Sequence, residues 1–341
     1  MKKYRFAVVG ALGNVGTIMC KLLEESTLPI EDLMLMDISA NEGQVISWRG
    51  RQKKITSAQA IAFDEVDIAL FSAGASAALQ LVPEAIKHGC ICIDNSTAFR
   101  MNPEHPLVIP EVNPEALNDH KGIVANPNCS TIQMLVLLKP LHDIYRIKRV
   151  VVSTYQAVSG SGQSAVQELK DQVRAFTSGR VISSSIYPYQ IAFNVLPHID
   201  TFEENGYTRE EMKMINETHK ILDPDILVTA TTVRVPVING HSESINIETE
   251  KSFKISEVIH LWENSSGIVL ADDPGNNIYP LPIKASGKDA VYVGRIRRDN
   301  STENGINLWC VSDNLRKGAA LNTIQIAEEL INRDLVRISH A

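Results

Sequence analysis

A cysteine in the segment Asn126-Pro127-Asn128-Cys129-Ser130-Thr131 is followed at once by the apolar run from Ile132 to Leu138. A proline, a short polar cluster with serine and threonine, then an apolar periodic stretch is how a helix begins. The Cys129 thiol is therefore expected at a helix start, where unpaired backbone N–H groups and the positive end of the dipole favour a thiolate. A thiolate is a nucleophile, and the same N–H groups can hold an oxyanion. Cysteine is also commonly a small buried hydrophobe. The rest of the chain has to decide between the two.

A second chemical signal lies at Gly10-Ala11-Leu12-Gly13-Asn14-Val15-Gly16, between an apolar strand and an amphipathic helix. Glycines there permit a tight turn and a close approach of backbone to a pyrophosphate, whose charge faces the helix start. Gly10, Leu12, Gly13, Asn14, Val15 and Gly16 are thus candidate dinucleotide contacts. The spacing is G-x-x-G-x-x-G, not the commoner G-x-G-x-x-G, so the strand–turn–helix context carries the reading. Asp37 ends the next strand, where an acidic residue would bind a ribose 2′-hydroxyl and repel a 2′-phosphate. Nothing basic adjoins it as far as Gln44, which leans towards NAD. Asp37 capping a turn is the equal alternative.

These residues need elements to position them. Arg5–Val9, Leu33–Met36, Asp67–Phe71, Cys90–Ile93, Leu107–Ile109 and Ile123–Ala125 read as short strands, with helices over Asn14–Glu25 and Ser76–His88. Such alternation predicts a parallel sheet with helices on its faces. After Cys129 come a β-rich run at Arg149–Gln156 and helices over Gln163–Phe176 and Arg209–Ile221. Thr229–Val237 and Ser244–Glu250 show the period-two alternation of half-buried antiparallel strands. Val291–Arg298 and Gly305–Val311 add two strands, and Leu315–Leu335 has helical spacing.

The fold class is α/β: a Rossmann-type domain over 1–128 and a mixed α+β domain over 129–314. A last helix, 315–341, would pack back on the first domain. The 341 residues are too many for one ordinary core. A net charge of -7 offers no basic field for nucleic acid. No apolar run reaches membrane-spanning length. Five cysteines without C-x-x-C spacing suit reduced thiols in a cytoplasm and give no metal site.

Seven segments, in order, resemble the aspartate-semialdehyde dehydrogenase family over nearly the whole chain. They are the glycine turn, Asn95–Arg100, Val108–Asn113, Pro127–Thr131, Tyr155–Gly160, Arg234–His241 and Asp313–Ala320. One departure is clear: Ile38–Gly43 lacks the family's arginine-serine pair suited to a 2′-phosphate.

The resemblance implies reductive dephosphorylation of L-aspartyl 4-phosphate to aspartate 4-semialdehyde, releasing phosphate, in lysine, threonine, methionine and diaminopimelate biosynthesis. It implies NADP as cofactor, against the NAD lean of Asp37. By that resemblance Cys129 forms a thioester, His241 is general acid and base, and Gln156 orients the acyl group. Arg234 would fork onto the α-carboxylate, Arg100 would bind phosphate with Asn128 and Lys213, and Glu210 would meet the α-ammonium. Glu210 and Lys213 stand at i, i+3, which otherwise marks a solvated helix face. Ser72, Gly74, Ser159, Gly160 and Asn314 would border the cofactor. A cytoplasmic homodimer is expected.

Two alternatives stay open: N-acetyl-γ-glutamyl-phosphate reductase, whose substrate nitrogen is acylated, and a catalytically silent dinucleotide-binding regulator. The first would have no use for a carboxylate facing an ammonium. The second has no use for Cys129, Gln156, Arg234 and His241 together.

Overall fold

The computed structural model describes residues 2–59 and 63–336. The chain forms two compact units, one running to Pro127 and resuming at Ala319, the other Asn128–Gly318.

The first unit begins β1 (Tyr4–Val9), α1 (Asn14–Glu25), β2 (Ile30–Asp37), β3 (Val45–Trp48), β4 (Arg51–Ser57) and β5 (Ile68–Phe71). It continues α2 (Ala75–Lys87), β6 (Ile91–Asp94) and β7 (Ile123–Ala125). The strands assemble in the order β3-β4-β2-β1-β5-β6-β7. Every pairing is parallel except β3–β4. The central strands are continuous apolar runs because both faces of a parallel sheet are covered. The order switches direction at β1, and in open α/β sheets ligands bind at the carboxyl ends of strands beside such a switch.

In this unit one element was not anticipated and one expected strand needs correction. The hairpin β3–β4 gives no apolar run: Arg51-Gln52-Lys53-Lys54 is charged, as suits a strand near a sheet edge. It turns at Arg49 and Gly50, with φ of 47° and 71°, the paired positive values of a two-residue hairpin loop. Leu107–Ile109 is not a strand; Leu107 makes only an isolated bridge to Ala125. An apolar run reports burial, and burial there comes without a ladder.

The second unit contains α3 (Cys129–Tyr145), β8 (Ile147–Gln156), α4 (Gln163–Thr177), α5 (Arg209–Ile221), β9 (Leu227–Arg234) and β10 (His241–Thr249). It ends with α6 (Ile255–Glu263), β11 (Ile268–Leu270), α7 (Pro282–Ala285), β12 (Val291–Asp299) and β13 (Gly305–Ser312). The mixed sheet runs β11-β12-β13-β10-β8-β9, and α3, α5 and α6 pack against it. From Ser130 to Leu138 every residue of α3 is buried, so this helix is a core element with no solvent stripe.

Alternation along β9 suggests an antiparallel strand, yet β9 pairs with β8 in parallel. Period two records one-sided burial, not direction, and the long crossover through α4 and α5 permits the parallel return.

The last helix, α8 (Leu321–Asn332), belongs to the first unit, where Ile324, Ala327 and Leu330 join a core with Met19 and Leu23. It starts later than the spacing predicts, because Arg316–Ala320 forms a π-helical turn. Residues 337–341 of the expected span lie outside the described residues.

Candidate active site

The register of the second sheet assembles most of the candidates. Gln156 on β8 lies opposite Arg234 on β9, and His241 on β10 lies opposite Ser312 on β13. The pairing of Ser242 with Tyr155 brings His241 level with Gln156. Residues opposite one another share a face, so Arg234, Gln156, His241 and Ser312 form one row across four strands. All four are buried, with exposures of 4, 1, 0 and 0 %. This row of polar groups at the strand ends is the organising feature of the unit.

Cys129 is the first residue of α3, and Asn128 is its N-cap. The Asn128 side-chain oxygen accepts from Ser130 N at 3.0 Å and Thr131 N at 3.3 Å. Its Nδ2 donates to Glu210 Oε1 at 2.9 Å, and its backbone N donates to Glu217 Oε2 at 2.7 Å. Every polar group named here holds the helix start, so Asn128 acts as a brace for Cys129. Glu217 was not singled out from the sequence. Its signal was the seven-residue spacing from Glu210, two turns along the same face of α5.

Glu210 is not on a solvated face. It is 6 % exposed, and it accepts from Asn128, from Gln156 Nε2 at 3.2 Å and from Lys213 Nζ at 3.1 Å. Burial pushes its carboxyl up, but Lys213, Asn128 and Arg234 together outweigh that and hold it below the usual range. Lys213 also donates to Asp200 Oδ2 at 2.8 Å. Gln156 Nε2 donates besides to Ser130 Oγ at 3.0 Å, which ties β8 to the first turn of α3.

Arg234 Nη1 donates to Ala157 O at 2.6 Å, while its Nε has no partner among the described residues. A buried guanidinium with a donor to spare suits a carboxylate. His241 accepts at Nδ1 from Ala157 N at 3.0 Å, so the neutral ring carries its proton on Nε2, which also has no partner there. Burial, and then the Arg234 charge, push its pKa well below the ordinary histidine value. The ring is therefore neutral at ordinary pH and offers the site an N–H. The acid–base role expected from the sequence would require giving up the Ala157 bond.

Gly160 explains how these groups stay accessible to one another. A Cβ there would lie 3.2 Å from Arg234 Nη1 and 3.3 Å from His241 Nε2. Ser159 and Asn314 serve the loop that ends at His241. Asn314 Nδ2 donates to Ser159 Oγ at 3.0 Å, and Asn314 Oδ1 accepts from Gly240 N at 2.9 Å. Asp313, not anticipated, gathers Asn239 Nδ2, Gly287 N, Leu315 N and Arg316 N.

Gly318 is a further unanticipated residue, within a quoted motif but without an assigned role. A Cβ at 318 would stand 2.7 Å from Cys129 Cβ. Gly318→Ala is expected to displace Cys129 and lower kcat at least about tenfold, with roughly 1–3 kcal/mol of stability lost to overpacking. Steady-state kinetics and thermal unfolding read this; an unchanged kcat would show that Cys129 has room to give.

In the first unit, Gly10 has φ of +85°, and a Cβ on it would meet Ser72 O at 2.5 Å. A Cβ on Gly16 would strike Gly10 O. Neither α1, capped by Gly13, nor α2, capped by Gly74, has a side-chain cap. Two bare helix starts at the ends of neighbouring strands β1 and β5 fit a dinucleotide pyrophosphate. Leu12 lies in this turn, and Asn14 and Val15 are the first two residues of α1.

Asp37 behaves as the turn-capping alternative. Its Oδ2 accepts from Leu12 N at 2.9 Å, and its Oδ1 from Ile38 N and Asn41 Nδ2, both at 2.8 Å. Arg100, also in this unit, is buried and donates from Nη2 to Asn95 O at 2.8 Å. Among the described residues no cluster of three His, Cys, Asp or Glu side chains could hold a metal, and no helix is long and apolar enough to cross a membrane.

Family comparisons decide the identity of this arrangement. Residues 5–120 match the family model "Semialdehyde dehydrogenase, NAD binding domain", and 138–317 match "Semialdehyde dehydrogenase, dimerisation domain". An aspartate-semialdehyde dehydrogenase of Aquifex aeolicus is 51% identical, covering 98% of this chain and 99% of that one. One of Bacillus subtilis is 49% identical over 97% and 98%.

The chain belongs to the aspartate-semialdehyde dehydrogenase family.

The solved structures agree with this membership. Aspartate semialdehyde dehydrogenase II of Vibrio cholerae, complexed with ASA, superposes with a TM-score of 0.95 at 42% identity, covering 97% of this chain and 99% of that one. The Candida albicans enzyme with NADP, 24% identical over 98% and 100%, shares the fold with a TM-score of 0.78. Aspartate-semialdehyde dehydrogenases are oxidoreductases with a dinucleotide-binding domain, and this chain is one of them by family.

Proposed function

We propose that this chain catalyses the reductive dephosphorylation of L-aspartyl 4-phosphate to L-aspartate 4-semialdehyde, a step of amino-acid biosynthesis. The observation that carries the reading is the single polar row Arg234–Gln156–His241, set beside the α3 start that presents Cys129.

Cys129 Sγ attacks the acyl carbon, the bond from that carbon to the phosphate oxygen breaks, and inorganic phosphate leaves a thioester on the sulfur. His241, neutral and donating from Nε2, stabilises the oxyanion that forms on each side of the thioester. Arg234 takes the substrate α-carboxylate on its unpartnered Nε. Glu210, kept ionised by Lys213, Asn128 and Arg234, takes the α-ammonium. A free ammonium gives this buried carboxylate a purpose that an acylated nitrogen does not, which argues against the N-acetyl-γ-glutamyl-phosphate alternative. A phosphate role for Arg100 and for Lys213 is carried by the family resemblance alone. The glycine turn, with Ser72 and Gly74, would hold the dinucleotide, whose bound reduced nicotinamide supplies the hydride that converts the thioester to a thiohemiacetal. Release of the Cys129 thiolate then yields the aldehyde.

We assign NADP as the preferred cofactor. The assignment follows the family resemblance, with Asp37, whose carboxylate accepts from three neutral donors, read as holding the turn. The test is oxidation of aspartate semialdehyde in the presence of phosphate, followed at the reduced-nicotinamide absorbance with NAD and NADP in parallel. The expected result is phosphate-dependent turnover with kcat/KM at least about tenfold higher for NADP, a difference of about 1.4 kcal/mol. No turnover sinks the activity; a preference for NAD restores Asp37 as the ribose reader.

A homodimer in the cytoplasm completes the reading. Phe176, Tyr189, Phe193 and Phe202, exposed by 59, 70, 63 and 63 %, are apolar surface that a second copy would cover.

A further inference from the structure

Behind the row that carries Arg234, Gln156 and His241 lies a second row on the same sheet face: Thr232, Thr154, Glu243 and Cys310. All four are 0 % exposed. Helix α3 packs over this part of the sheet, and its Gln133, one turn beyond Cys129, is also 0 % exposed. Cys310 Sγ donates to Glu243 Oε2 at 3.5 Å, and Ser312 Oγ donates to Gln133 Oε1 at 2.7 Å. Among the described residues, Glu243 Oε1 and Gln133 Nε2 have no hydrogen-bond partner.

A buried carboxylate without a cation is costly, and keeping its proton is the cheaper state. Burial pushes the Glu243 carboxyl up to about 8, with Gln133 and Cys310 pulling only weakly the other way. Protonation turns one oxygen into a donor. A half-turn of the Gln133 amide then presents its oxygen to Glu243 and its NH2 to Ser312 Oγ, and both orphan atoms are satisfied.

We propose that Glu243 acts as a neutral, protonated positioning residue: with Gln133 and Ser312 it bridges the α3 turn behind Cys129 to the strand opposite His241. Ionisation of Glu243 removes its donor from the bridge and leaves a buried negative charge behind Cys129. This rests on the roles of Cys129 and His241 above. The groups that face Glu243 are Cys310 on β13, Thr154 on β8, Gln133 on α3 and, along its own strand, His241. Cys310 is held protonated by burial and by Glu243 itself, and His241 is neutral, so neither supplies a compensating charge.

The test compares wild type, Glu243→Gln and Glu243→Ala by kcat in the aspartate-semialdehyde assay and by thermal unfolding, both from pH 5 to 9.5. Gln keeps a neutral donor, so kcat at pH 7 should stay within about twofold of wild type and the alkaline decline above about pH 8 should shrink by threefold or more. Ala, lacking the bridge, should lose roughly tenfold at every pH. The folded state keeps the Glu243 proton while the unfolded state releases it above about pH 4.5. The wild-type midpoint should therefore fall relative to Glu243→Gln as pH rises through this window and level off above about 8. An unchanged alkaline limb in Glu243→Gln, or a midpoint difference independent of pH, overturns the proposal. Absence of wild-type turnover would instead remove the proposed activity, and the unfolding comparison alone would then decide whether Glu243 is neutral in the fold.

Discussion

Replacing Cys129 by alanine is expected to abolish turnover, a loss of roughly 10⁴-fold or more in kcat, because the start of α3 then presents no thiolate to take the acyl group. Dinucleotide binding should persist, since the glycine turn and the bare starts of α1 and α2 belong to the other compact unit. The same residue can be tested chemically. Cys20, Cys90, Cys92 and Cys310 are buried, and Cys129 alone is partly exposed. Burial also raises the Cys20 thiol to about 12 and the Cys92 and Cys310 thiols well above their ordinary value. Iodoacetamide near neutral pH should therefore label one site, at Cys129, in step with loss of activity. Rapid quenching with semialdehyde and the oxidised cofactor should trap an acyl adduct on that sulfur. Full turnover in Cys129→Ala would dismiss the covalent route.

His241→Ala is expected to lower kcat by about 10²–10³, the usual loss when an oxyanion donor is removed. His241→Gln places an amide N–H near the position of Nε2 and should recover part of it. A residue acting chiefly as general base predicts the opposite: both variants equally impaired, because an amide cannot take up a proton. The pH profile separates these roles further. The folded-state pKa of His241 lies well below 6.5 through burial and the nearby Arg234, so the ring stays neutral as pH falls through 6.5. Wild-type kcat should then show no acid limb from this imidazole near pH 6.5. Such a limb, lost in both variants, would return His241 to the base role read from the sequence.

Much of the site was legible residue by residue, but in unequal ways. Cys129 was visible because a helix start has a local signature of proline, polar cap and apolar run. The glycine turn was visible because strand, turn and helix follow one another in the chain. Glu210 and Lys213 were ambiguous for the same reason of locality. Their i, i+3 spacing describes one helix equally well in solvent or in a core, and only the packing of α5 against Asn128 and Gln156 made Glu210 a buried hub. Asp37 is a second such case. Its place at the end of β2 suited a ribose reader and a turn cap equally, and only folding showed the three donors on its carboxylate.

The chain alone determined the class of fold and the family and pointed to a nucleophile and a dinucleotide turn, since each is written in neighbouring residues or in the order of motifs. Tertiary structure decided what depends on register and burial. It lined up Gln156 with the distant Arg234 and His241 across three strands, pressed Gly318 against Cys129, and set Glu243 uncompensated beneath α3. It also chose which nitrogen of His241 carries the proton. Those outcomes follow from strand pairing and loss of water around each group, and neither quantity is a property of any local stretch of sequence.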